Sequence, residues 1–382
     1  MDYLTLDGFT FEGTRGDAIS ISGSHNTVTN CVIKNIAGTA MYINGYENLI
    51  QSNEITRTGR AGIHVTGGDT ETLTPGNNRV DNNYIHDWSE IYQTYQPAVT
   101  LSGVGNICSH NEICDSPHEA ITYSGNNHII EYNKISRVCK LSSDAAAIYA
   151  GLSWTWYGNV IRYNLIEDLG TDGYIPSGIY WDDGLSGQTA YGNLLLNVPG
   201  FSFQIGGGRD HTVYNNLAVN MTGNNVVMWN YDSRSIDAIV NGDWFTAALE
   251  GSTLWNDLNG SPWQTDVWKN AFPQMTRFSS DFSDTDNPDF VPNPAYSKFN
   301  GNVFFGTHSE EETYAWLSKA AQKYSDLSGN AVYNAAEFSA DELFVSPGTG
   351  DFRIKENSPI REIIPDFEDL PVSEMGRYTI EK

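Results

Sequence analysis

The sequence predicts an all-β fold, a right-handed parallel β-helix in which each turn of the chain stacks on the previous one. Three observations predict it. An asparagine recurs every 22–31 residues, an apolar residue follows each asparagine by two places, and a short strand-like run, mostly closed by glycine, occurs once per repeat. A recurring period of this length is typical of a solenoid, in which each repeat forms one turn. The 36 glycines among 382 residues supply enough turn residues for many tight bends.

The asparagines are expected to stack in one turn of the solenoid. Asparagine suits this place because it tolerates a left-handed backbone, and its amide can hydrogen-bond to the coils above and below. A second polar residue lies five places before each one, which predicts a second ladder. The asparagines are Asn30, Asn53, Asn83, Asn111, Asn133, Asn164, Asn193 and Asn216, and the preceding residues are His25, Asn48, Asn78, Asn106, His128, Asn159, Gln188 and His211. The alternative, a β-sandwich with coincidental spacing, does not explain a shared register over eight repeats.

The strand-like runs place the coils in residues 1–231. They are rich in β-branched and aromatic residues, as in AMYING, AGIHVTG, AVTLSG and EAITYSG. Residues 232–300 lose the period and are expected to form an irregular, partly helical insertion, with helices at DAIVNGDWFTAALEG and TDVWKNAFPQMTRF. Residues 301–382 return to the coil at SKFNGNVFFG. A short amphipathic helix, EEETYAWLSKAAQKYS, and a closing strand pair in LFVSPGTGDFRIKENSPI follow, within one structural domain overall.

The charge balance limits the partners. With 21 Lys and Arg against 47 Asp and Glu, the net charge is −26, which excludes nucleic acid and anionic membranes as partners. The same charge disfavours a polyanionic substrate unless cations bridge it. No signal peptide and no membrane-spanning run is visible. The chain begins with what reads as an interior coil, so a missing N-terminal portion or a second subunit in a homo-oligomer is expected to cover it.

The four cysteines show no metal-binding or redox spacing. Cys31, Cys108, Cys114 and Cys139 form no CxxC pair. Cys108 lies three places before its ladder asparagine, where other repeats carry isoleucine or valine. We therefore expect it to be a small buried hydrophobic residue.

Departures from the repeat mark the candidate catalytic residues. Asp144, in SSDAAAIYAG, enters a run whose equivalents begin with neutral residues, and Asp182 and Asp183, in GIYWDDG, replace the small residue and glycine that normally end the strand. Neighbouring coils stack about 4.8 Å apart, so carboxylates at matching ends can converge. Paired carboxylates, one with a raised pKa, are what acid-assisted glycosidic cleavage requires. The alternative for each aspartate is that it caps a turn.

Aromatic and polar residues close to these aspartates in the sequence are candidate substrate contacts. Flat rings stack on sugars, and GLSWTWYG supplies several next to the Asp144 strand; local loop packing is the alternative. The candidate substrate-binding residues are His118, Glu119, Trp154, Trp156, Tyr180, Trp181, Arg209 and Asp210. For His118, the alternative to a substrate contact is a structural role. No His-rich ligand set accompanies the acids, so we predict no metal requirement and no cofactor.

The segments that carry these residues resemble the right-handed parallel β-helix glycoside hydrolases of family 141. They are SDAAAIYAG, GNVIRYNLIEDLG, SGIYWDDGLSGQTAYGNLLLN, IGGGRDHTVYNNLAVN and, later, NPDFVPNP and DFRIKENSPI. That group includes α-L-fucosidase and xylanase activities, and the β-xylosidases of family 120 are similar in architecture. The resemblance covers roughly residues 110–382. It implies Asp144 and one of Asp182 or Asp183 as catalytic carboxylates, Arg209 and Asp210 as supporting or substrate-binding residues, and a secreted or periplasmic bacterial enzyme.

Three functions follow from this reasoning. The leading one is a glycoside hydrolase acting on a plant-type polysaccharide or an oligosaccharide from one. The second is a polysaccharide lyase or epimerase on the same fold, which a calcium ion held by Asp182 and Asp183 would favour. The third is a non-catalytic carbohydrate-binding solenoid, because fold does not determine activity.

Overall fold

The computed structural model describes residues 1–171, 173–221 and 253–380, and the backbone of 227–229. It contains two compact units, and each is described separately. The first unit consists of residues 1–150, 158–177 and 372–382, and the second of residues 151–157 and 178–371.

The first unit is built from short parallel strands, three to a coil. In chain order they are β1 Thr5–Asp7, β2 Thr10–Glu12, β3 Ile19–Ser24, β4 Thr27–Thr29, β5 Val32–Ile36, β6 Met41–Tyr46, β7 Leu49–Gln51, β8 Glu54–Thr58, β9 Ile63–Asp69, β10 Thr74–Pro75, β11 Arg79–Asp81, β12 Tyr84–His86, β13 Val99–Val104, β14 Ile107–Ser109, β15 Glu112–Cys114, β16 Ile121–Asn126, β17 Ile129–Glu131, β18 Lys134–Ser136, β19 Ala146–Gly151, β20 Val160–Arg162 and β21 Leu165–Glu167. Every third strand pairs in parallel with its counterpart in the next coil, so three sheets run along the stack, whereas β10 forms a hairpin with β9.

Aliphatic side chains fill the inside of these coils. Side chains alternate along a strand, so one set points inward and the next outward. In the sheet that contains β5, β8 and β12, one isoleucine from each coil is fully buried and stacks on the isoleucine of the next coil. These residues are Ile33, Ile55, Ile85, Ile113, Ile135 and Ile166. Burying a side chain of this size contributes about 1.5–3 kcal/mol, so each isoleucine of the stack stabilises the coils.

The predicted asparagine ladder is present. In the first unit, Asn53 Nδ2 donates to Asn83 Oδ1 at 2.9 Å, and the same bond repeats from coil to coil through Asn111, Asn133 and Asn164. Each side-chain oxygen also accepts the backbone N–H of the preceding ladder residue. All of these amides are buried. The ladder therefore satisfies polar groups that would each cost about 1–3 kcal/mol if left unpaired.

The first member of the predicted ladder was wrong by one residue. Val32 pairs with Glu54, so Asn30 lies in register with Ser52, and Cys31 takes the ladder position. The Cys31 backbone N–H donates to Asn53 Oδ1 at 3.0 Å. Asn30 has a left-handed backbone with a φ of 51° at the turn, and its amide donates to Asp7.

The predicted first member of the second ladder was also wrong by one residue. Asn26, and not His25, donates to Asn48 Oδ1 at 2.9 Å, and the chain of amides continues through Asn78 and Asn106. His25 precedes it with a φ of 59°. The physical reason is shared by both ladders: the residue in the left-handed turn comes first, and the buried amide follows it.

The second unit contains further coils and a set of short helices. Its strands are β22 Ser177–Asp182, β23 Thr189–Tyr191, β24 Leu194–Leu196, β25 Phe203–Ile205, β26 Thr212–Tyr214, β27 Leu217–Met221, β28 Val227–Trp229, β29 Lys298–Phe299, β30 Val303–Gly306, β31 Trp316–Leu317, β32 Ala331–Asn334, β33 Phe344–Ser346 and β34 Asp351–Ile354. Ser177, the first residue of β22, belongs to the first unit, and Gly151, the last residue of β19, belongs to the second. The coil predicted to return at SKFNGNVFFG is confirmed by β29 and β30, and the closing strand pair by the antiparallel β33 and β34.

The α-helices described in this unit are short. They are α1 Thr253–Gly260, α2 Asp266–Ala271, α3 Glu310–Thr313, α4 Lys319–Tyr324, α5 Ala340–Leu343 and α6 Ile360–Ile363. The segment TDVWKNAFPQMTRF is helical as predicted, with a 3₁₀ helix at Pro273–Arg277 after α2. The helix predicted in DAIVNGDWFTAALEG lies outside the described residues. No helix among the described residues has the length and apolar character needed to span a membrane.

The single amphipathic helix predicted over residues 310–325 was wrong. The structure breaks it into α3, β31 and α4, because Trp316 and Leu317 pair in parallel with β28. Ser318 then starts a new helix, and its hydroxyl accepts the Ala321 backbone N–H at 3.1 Å. Tertiary strand pairing therefore overrides the local helical pattern at this point.

The four cysteines are free and buried. Burial raises the pKa of the Cys108 thiol well above its usual range, which confirms the prediction that Cys108 is a small buried hydrophobic residue.

Candidate active site in the second unit

Asp182 is the last residue of β22, and its side chain lies on the outward face of the strand. A glycine lies on each side of it, Gly151 on one side and Gly206 on the other. A Cβ atom at Gly151 would lie 2.7 Å from Asp182 Cβ, and a Cβ atom at Gly206 would lie 3.2 Å from Asp182 Oδ1. Real Cβ atoms do not approach their neighbours as closely as the first of these distances. Both positions therefore lack a side chain where the backbone passes the carboxylate, and Asp182 lies in a notch between them.

The carboxylate is also part of a turn. Asp182 Oδ1 accepts the backbone N–H of Asp183 at 2.8 Å, and the Asp182 carbonyl accepts the N–H of Leu185 at 2.9 Å. Gly184 completes the turn with a φ of 78° and donates its N–H to the Gly206 carbonyl at 3.1 Å. The turn-capping alternative for Asp182 is therefore observed. It does not conflict with a chemical role, since the cap fixes one oxygen and the side-chain rotamer.

The two aromatic residues before Asp182 point in opposite directions. Trp181 is buried, is in register with Ile205, and stacks on His211 with ring centroids 4.8 Å apart. Tyr180 is in register with Gln204 on the same face of the strand as Asp182, because side chains alternate. Its exposed fraction is 7 %. Of the two rings, Tyr180 shares the outward side of the strand with the carboxylate.

The two tryptophans of the 151–157 loop differ in their exposure. Trp154 is fully buried, and its ring packs edge-on against Trp255 at 4.9 Å in a cluster with Leu254 and Phe290. A Cβ atom at Gly184 would lie 2.8 Å from Trp154 Nε1, so the ring lies against the turn that follows Asp182. Trp156 is partly exposed. Trp154 thus packs the loop against α1, and Trp156 is the tryptophan with accessible surface.

Asp257 is a carboxylate that sequence reasoning missed. Ser153 Oγ donates to Asp257 Oδ2 at 2.6 Å, and Thr155 Oγ1 donates at 3.4 Å. Burial raises the pKa of Asp257, although these hydrogen bonds oppose the shift. The residue lies in α1, where there is no repeat for it to depart from, so the sequence carried no signal for it.

Asp210 is the centre of a buried charge network. The Tyr157 hydroxyl donates to Asp210 Oδ2 at 2.7 Å, Arg209 Nε lies 3.4 Å from the same oxygen, and Arg277 pairs with Oδ1. Burial, and then the negative charge of Asp210, raise the pKa of Tyr157 well above its usual range. Arg277 was not predicted, because it lies in the irregular insertion.

Arg209 is enclosed by protein. Its side chain is fully buried, and Nη1 donates to the backbone carbonyls of Asp289 and Phe290 at 3.2 Å. The guanidinium also lies over the rings of Phe278 and Tyr296, 5.3 Å from each centroid. Nη2 is buried without a hydrogen-bond partner among the described residues. Arg209 therefore holds the insertion against the coil, next to the carboxylate of Asp210.

An open cleft of about 560 Å³ adjoins this network. Asp210, Arg277, Tyr296, Lys298 and Tyr324 line it. The Arg277 guanidinium lies 4.1 Å from the Tyr296 ring centroid. The cleft combines charged groups of both signs with two aromatic rings, a composition that suits a polar, hydroxyl-rich ligand.

The remaining predicted residues belong to the first unit. Asp144 is exposed and comes just before β19, and its backbone carbonyl accepts the Ser142 hydroxyl at 3.4 Å. His118 and Glu119 are both buried. His118 Nδ1 lies 3.4 Å from Glu119 Oε2, but the angles are not those of a hydrogen bond. The predicted approach of Asp144 to Asp182 or Asp183 joins residues of different units and stays a prediction.

Within the described ranges, no three His, Cys, Asp or Glu side chains are grouped closely enough to hold a metal ion.

Comparison with known proteins identifies the architecture. The family model described as "Right handed beta helix region" matches residues 17–218, which confirms the predicted right-handed β-helix. No curated protein matches the chain. Among solved structures, one titled "Glycoside hydrolase" is similar with 17 % identity and a TM-score of 0.37, over 50 % of this chain and 38 % of that one. Another, "The complex structure of XylC with xylose", has 13 % identity and a TM-score of 0.46, over 87 % of this chain and 52 % of that one. The chain thus spans about two-fifths and about half of their lengths.

Proposed function

The chain belongs to the right-handed β-helix family, and we propose that it is a glycoside hydrolase. Its substrate is a plant-type polysaccharide or an oligosaccharide derived from one, cleaved in the manner of a fucosidase, xylanase or xylosidase. The observation that carries the proposal is the notch at Asp182, where Gly151 and Gly206 leave the carboxylate without side chains beside it. A sugar ring needs this kind of access, because the acid, the ring and the leaving group must meet at one point.

The reaction requires two carboxyl groups. One donates a proton to the glycosidic oxygen, and the other attacks the anomeric carbon or activates a water molecule. We assign Asp182 as one of the two and retain Asp144 as the other, with Asp183 as the alternative to Asp182. A separation of about 5–5.5 Å between the carboxyl groups gives retention of configuration, and about 6.5–9.5 Å gives inversion.

The other predicted residues divide by the side of the strand on which they lie and by their exposure. Tyr180 and Trp156 remain candidates for direct contact with sugar, because the first shares the outward side of β22 and the second is partly exposed. Arg209 and Asp210 act as positioning residues in this proposal. Together with Tyr157 they tie the 151–157 loop to the coil that carries Asp210. Trp154 and Trp181 are buried and stabilise the fold by packing.

The test is turnover by Asp182→Asn, Asp144→Asn and Asp183→Asn on aryl glycosides and plant polysaccharides that the unaltered chain cleaves. Asn at 182 keeps the oxygen that accepts the Asp183 N–H, so the turn is retained while proton transfer and nucleophilicity are lost. We expect a loss of about 10²–10⁴-fold at a true catalytic position.

Comparing Asp182→Asn with Asp183→Asn distinguishes the two alternatives, and the thermal midpoint is measured for every variant. If Asp182 and Asp183 both keep near-native turnover, or if activity falls only in proportion to unfolding, the assignment is wrong. An unaltered chain that cleaves no glycoside on the panel would contradict the function itself.

A further inference from the structure

A cavity of about 420 Å³ lies in the first unit, apart from every residue assigned above. The side chains of Arg15, Asp17, Tyr42, Arg60 and Tyr92 line it. It therefore brings two guanidinium groups and two phenol rings together in a chain whose acidic residues outnumber its basic ones by 47 to 21.

Neither arginine forms an ion pair within the part of the chain that the structure describes. Among the described residues, no carboxylate lies within ion-pair distance of Arg15 or Arg60. The nearby Glu90 is paired with Arg57 at 3.4 Å. Asp17 belongs to the cavity, but its Oδ1 already accepts the Thr39 backbone N–H at 2.8 Å. Two unpaired cations against one engaged carboxylate give this cavity a local charge opposite to that of the whole chain.

Both rings are supported from behind and partly exposed. The Tyr42 ring stacks on His64 with centroids 4.9 Å apart and planes 7° from parallel, and its hydroxyl donates to Thr39 Oγ1 at 3.3 Å. The Arg60 guanidinium lies 4.0 Å from the Tyr92 ring centroid. Tyr42 is 39 % exposed and Tyr92 is 49 % exposed. Fixed, half-exposed rings lose little conformational entropy when a flat ligand stacks on them.

The backbone at the cavity wall packs closely, with Gly38 against Asp17 and Gly16. A Cβ atom at Gly38 would lie 2.4 Å from Asp17 Oδ1 and 2.5 Å from the Gly16 carbonyl carbon, so no side chain can occupy this point. The 87–97 insertion brings Tyr92 to the cavity, and its backbone N–H donates to the Gly59 carbonyl at 2.9 Å. The ring is therefore held by main-chain contacts and not only by the arginine beneath it.

We propose that this cavity binds an anionic saccharide, a pyranose bearing a carboxylate, as a site separate from Asp182. Arg15 and Arg60 hold the carboxylate, since guanidinium groups match its geometry with two parallel hydrogen bonds. The sugar ring stacks on Tyr42 or Tyr92. The saccharide part of this inference rests on the proposed function, whereas the negative charge rests on the cavity itself. Net charge led to the expectation that acidic substrates are disfavoured, and the local charge of this cavity leads to the opposite expectation for one sugar.

Binding is tested by ligand-observed NMR or calorimetry on Asp182→Asn protein with glucuronate, galacturonate, glucose and glucose 6-sulfate. We expect millimolar binding of at least one uronate, about tenfold tighter than glucose, and weakened by salt because the charges are exposed. Arg15→Gln and Arg60→Gln should each weaken uronate binding severalfold, and the double variant should bind glucose and uronate alike. Arg57→Gln is the matched control: it removes the same charge from a neighbouring arginine that does not line the cavity.

Equal affinity for glucose and both uronates, or an equal loss in Arg57→Gln, would overturn the proposal. Binding of glucose 6-sulfate without either uronate would overturn the carboxylate assignment. Because the readout is binding and not turnover, uronate binding by a chain that hydrolyses nothing would leave this site standing while the proposed function failed.

Discussion

Each unit contains an asparagine ladder of the same kind, but the length of chain between successive ladder members differs greatly between the two units. In the first unit the ladder amides come 22–31 residues apart and bond at 2.9–3.0 Å. In the second unit Asn216 and Asn302 are separated by 86 residues, yet Asn216 Nδ2 donates to Asn302 Oδ1 at the same 2.9 Å. Asn302 continues to Asn330 in the same way. The coil therefore sets the register, and the length of the intervening chain has little influence on it.

This difference has a physical basis. The entropic cost of closing a flexible loop grows only with the logarithm of its length, so doubling a loop costs about 0.6 kcal/mol. An unpaired buried amide costs about 1–3 kcal/mol. A long insertion between two coils is therefore cheaper than a lost ladder bond. Loops can lengthen and acquire side chains such as Asp257 and Arg277 without disturbing the coils that carry them.

The largest expected effect comes from breaking the ladder once in each unit. Asn111 Oδ1 accepts both the N–H and the Nδ2 of Asn83, and Asn302 Oδ1 accepts the same two groups of Asn216. Asn111→Gly removes the acceptor of the Asn83 backbone N–H and of one Asn83 amide hydrogen, and Asn302→Gly removes the acceptor of the Asn216 backbone N–H and of one Nδ2 bond. Each should therefore lower the free energy of unfolding by about 1–6 kcal/mol. Urea unfolding at neutral pH measures it.

Asn30→Gly is the control for both variants. Its left-handed backbone suits glycine, and its side chain bonds to Asp7 at the surface, so we expect a change within about 0.5 kcal/mol. A much smaller loss for Asn302→Gly than for Asn111→Gly would show that the long insertion does weaken the ladder in the second unit.

The second prediction concerns His128 in the first unit and His211 in the second unit. Each belongs to the second polar ladder, five places before a ladder asparagine. His128 Nδ1 accepts the Asn106 backbone N–H and Nε2 donates to the Ser124 carbonyl, which requires a neutral ring. His211 makes the same pair of bonds with Gln188 and Gly207. Burial lowers the pKa of both to about 4 from 6.5. Between pH 6.5 and 4 the unfolded chain therefore binds protons that the folded chain does not, and stability falls as the pH drops.

Each histidine should contribute a loss on the order of 3 kcal/mol across this range. His128→Asn and His211→Asn place an amide in the same ladder and should each flatten the dependence of unfolding free energy on pH between 6.5 and 4. Unfolding curves at half-unit pH steps measure the slope. Variants that remain as acid-sensitive as the unaltered chain would assign the sensitivity to carboxylates instead.

The asparagine ladder could be predicted from the sequence, but the positions of Gly151 and Gly206 beside Asp182 could not. The register of the coils explains both results. The buried amide repeats in every coil, so its period is visible. Gly151, Asp182 and Gly206 come 13, 11 and 10 residues before the next ladder asparagine, so counting along the chain does not align them. Their closeness appears only when the coils are stacked. The residues of the insertion, such as Asp257, follow no repeat, so their positions could not be predicted from the sequence.

The smallest expected effect concerns the ladder's first member in the first unit, where Cys31 replaces asparagine. Its backbone N–H already donates to Asn53 Oδ1, and its sulfur lies 3.6 Å from the Leu6 carbonyl. In the coils that follow, the amide nitrogen of the ladder residue donates to the carbonyl at the equivalent place, as Asn53 does to Val28. Cys31→Asn should therefore add a bond to Leu6 and one to Asn53, and raise the free energy of unfolding by about 0.5–1.5 kcal/mol. Cys31→Ala fills the same place without an amide and should be neutral or destabilising. If both variants shift the urea midpoint equally, the gain does not come from the ladder, and the first coil does not follow the rule that holds in the others.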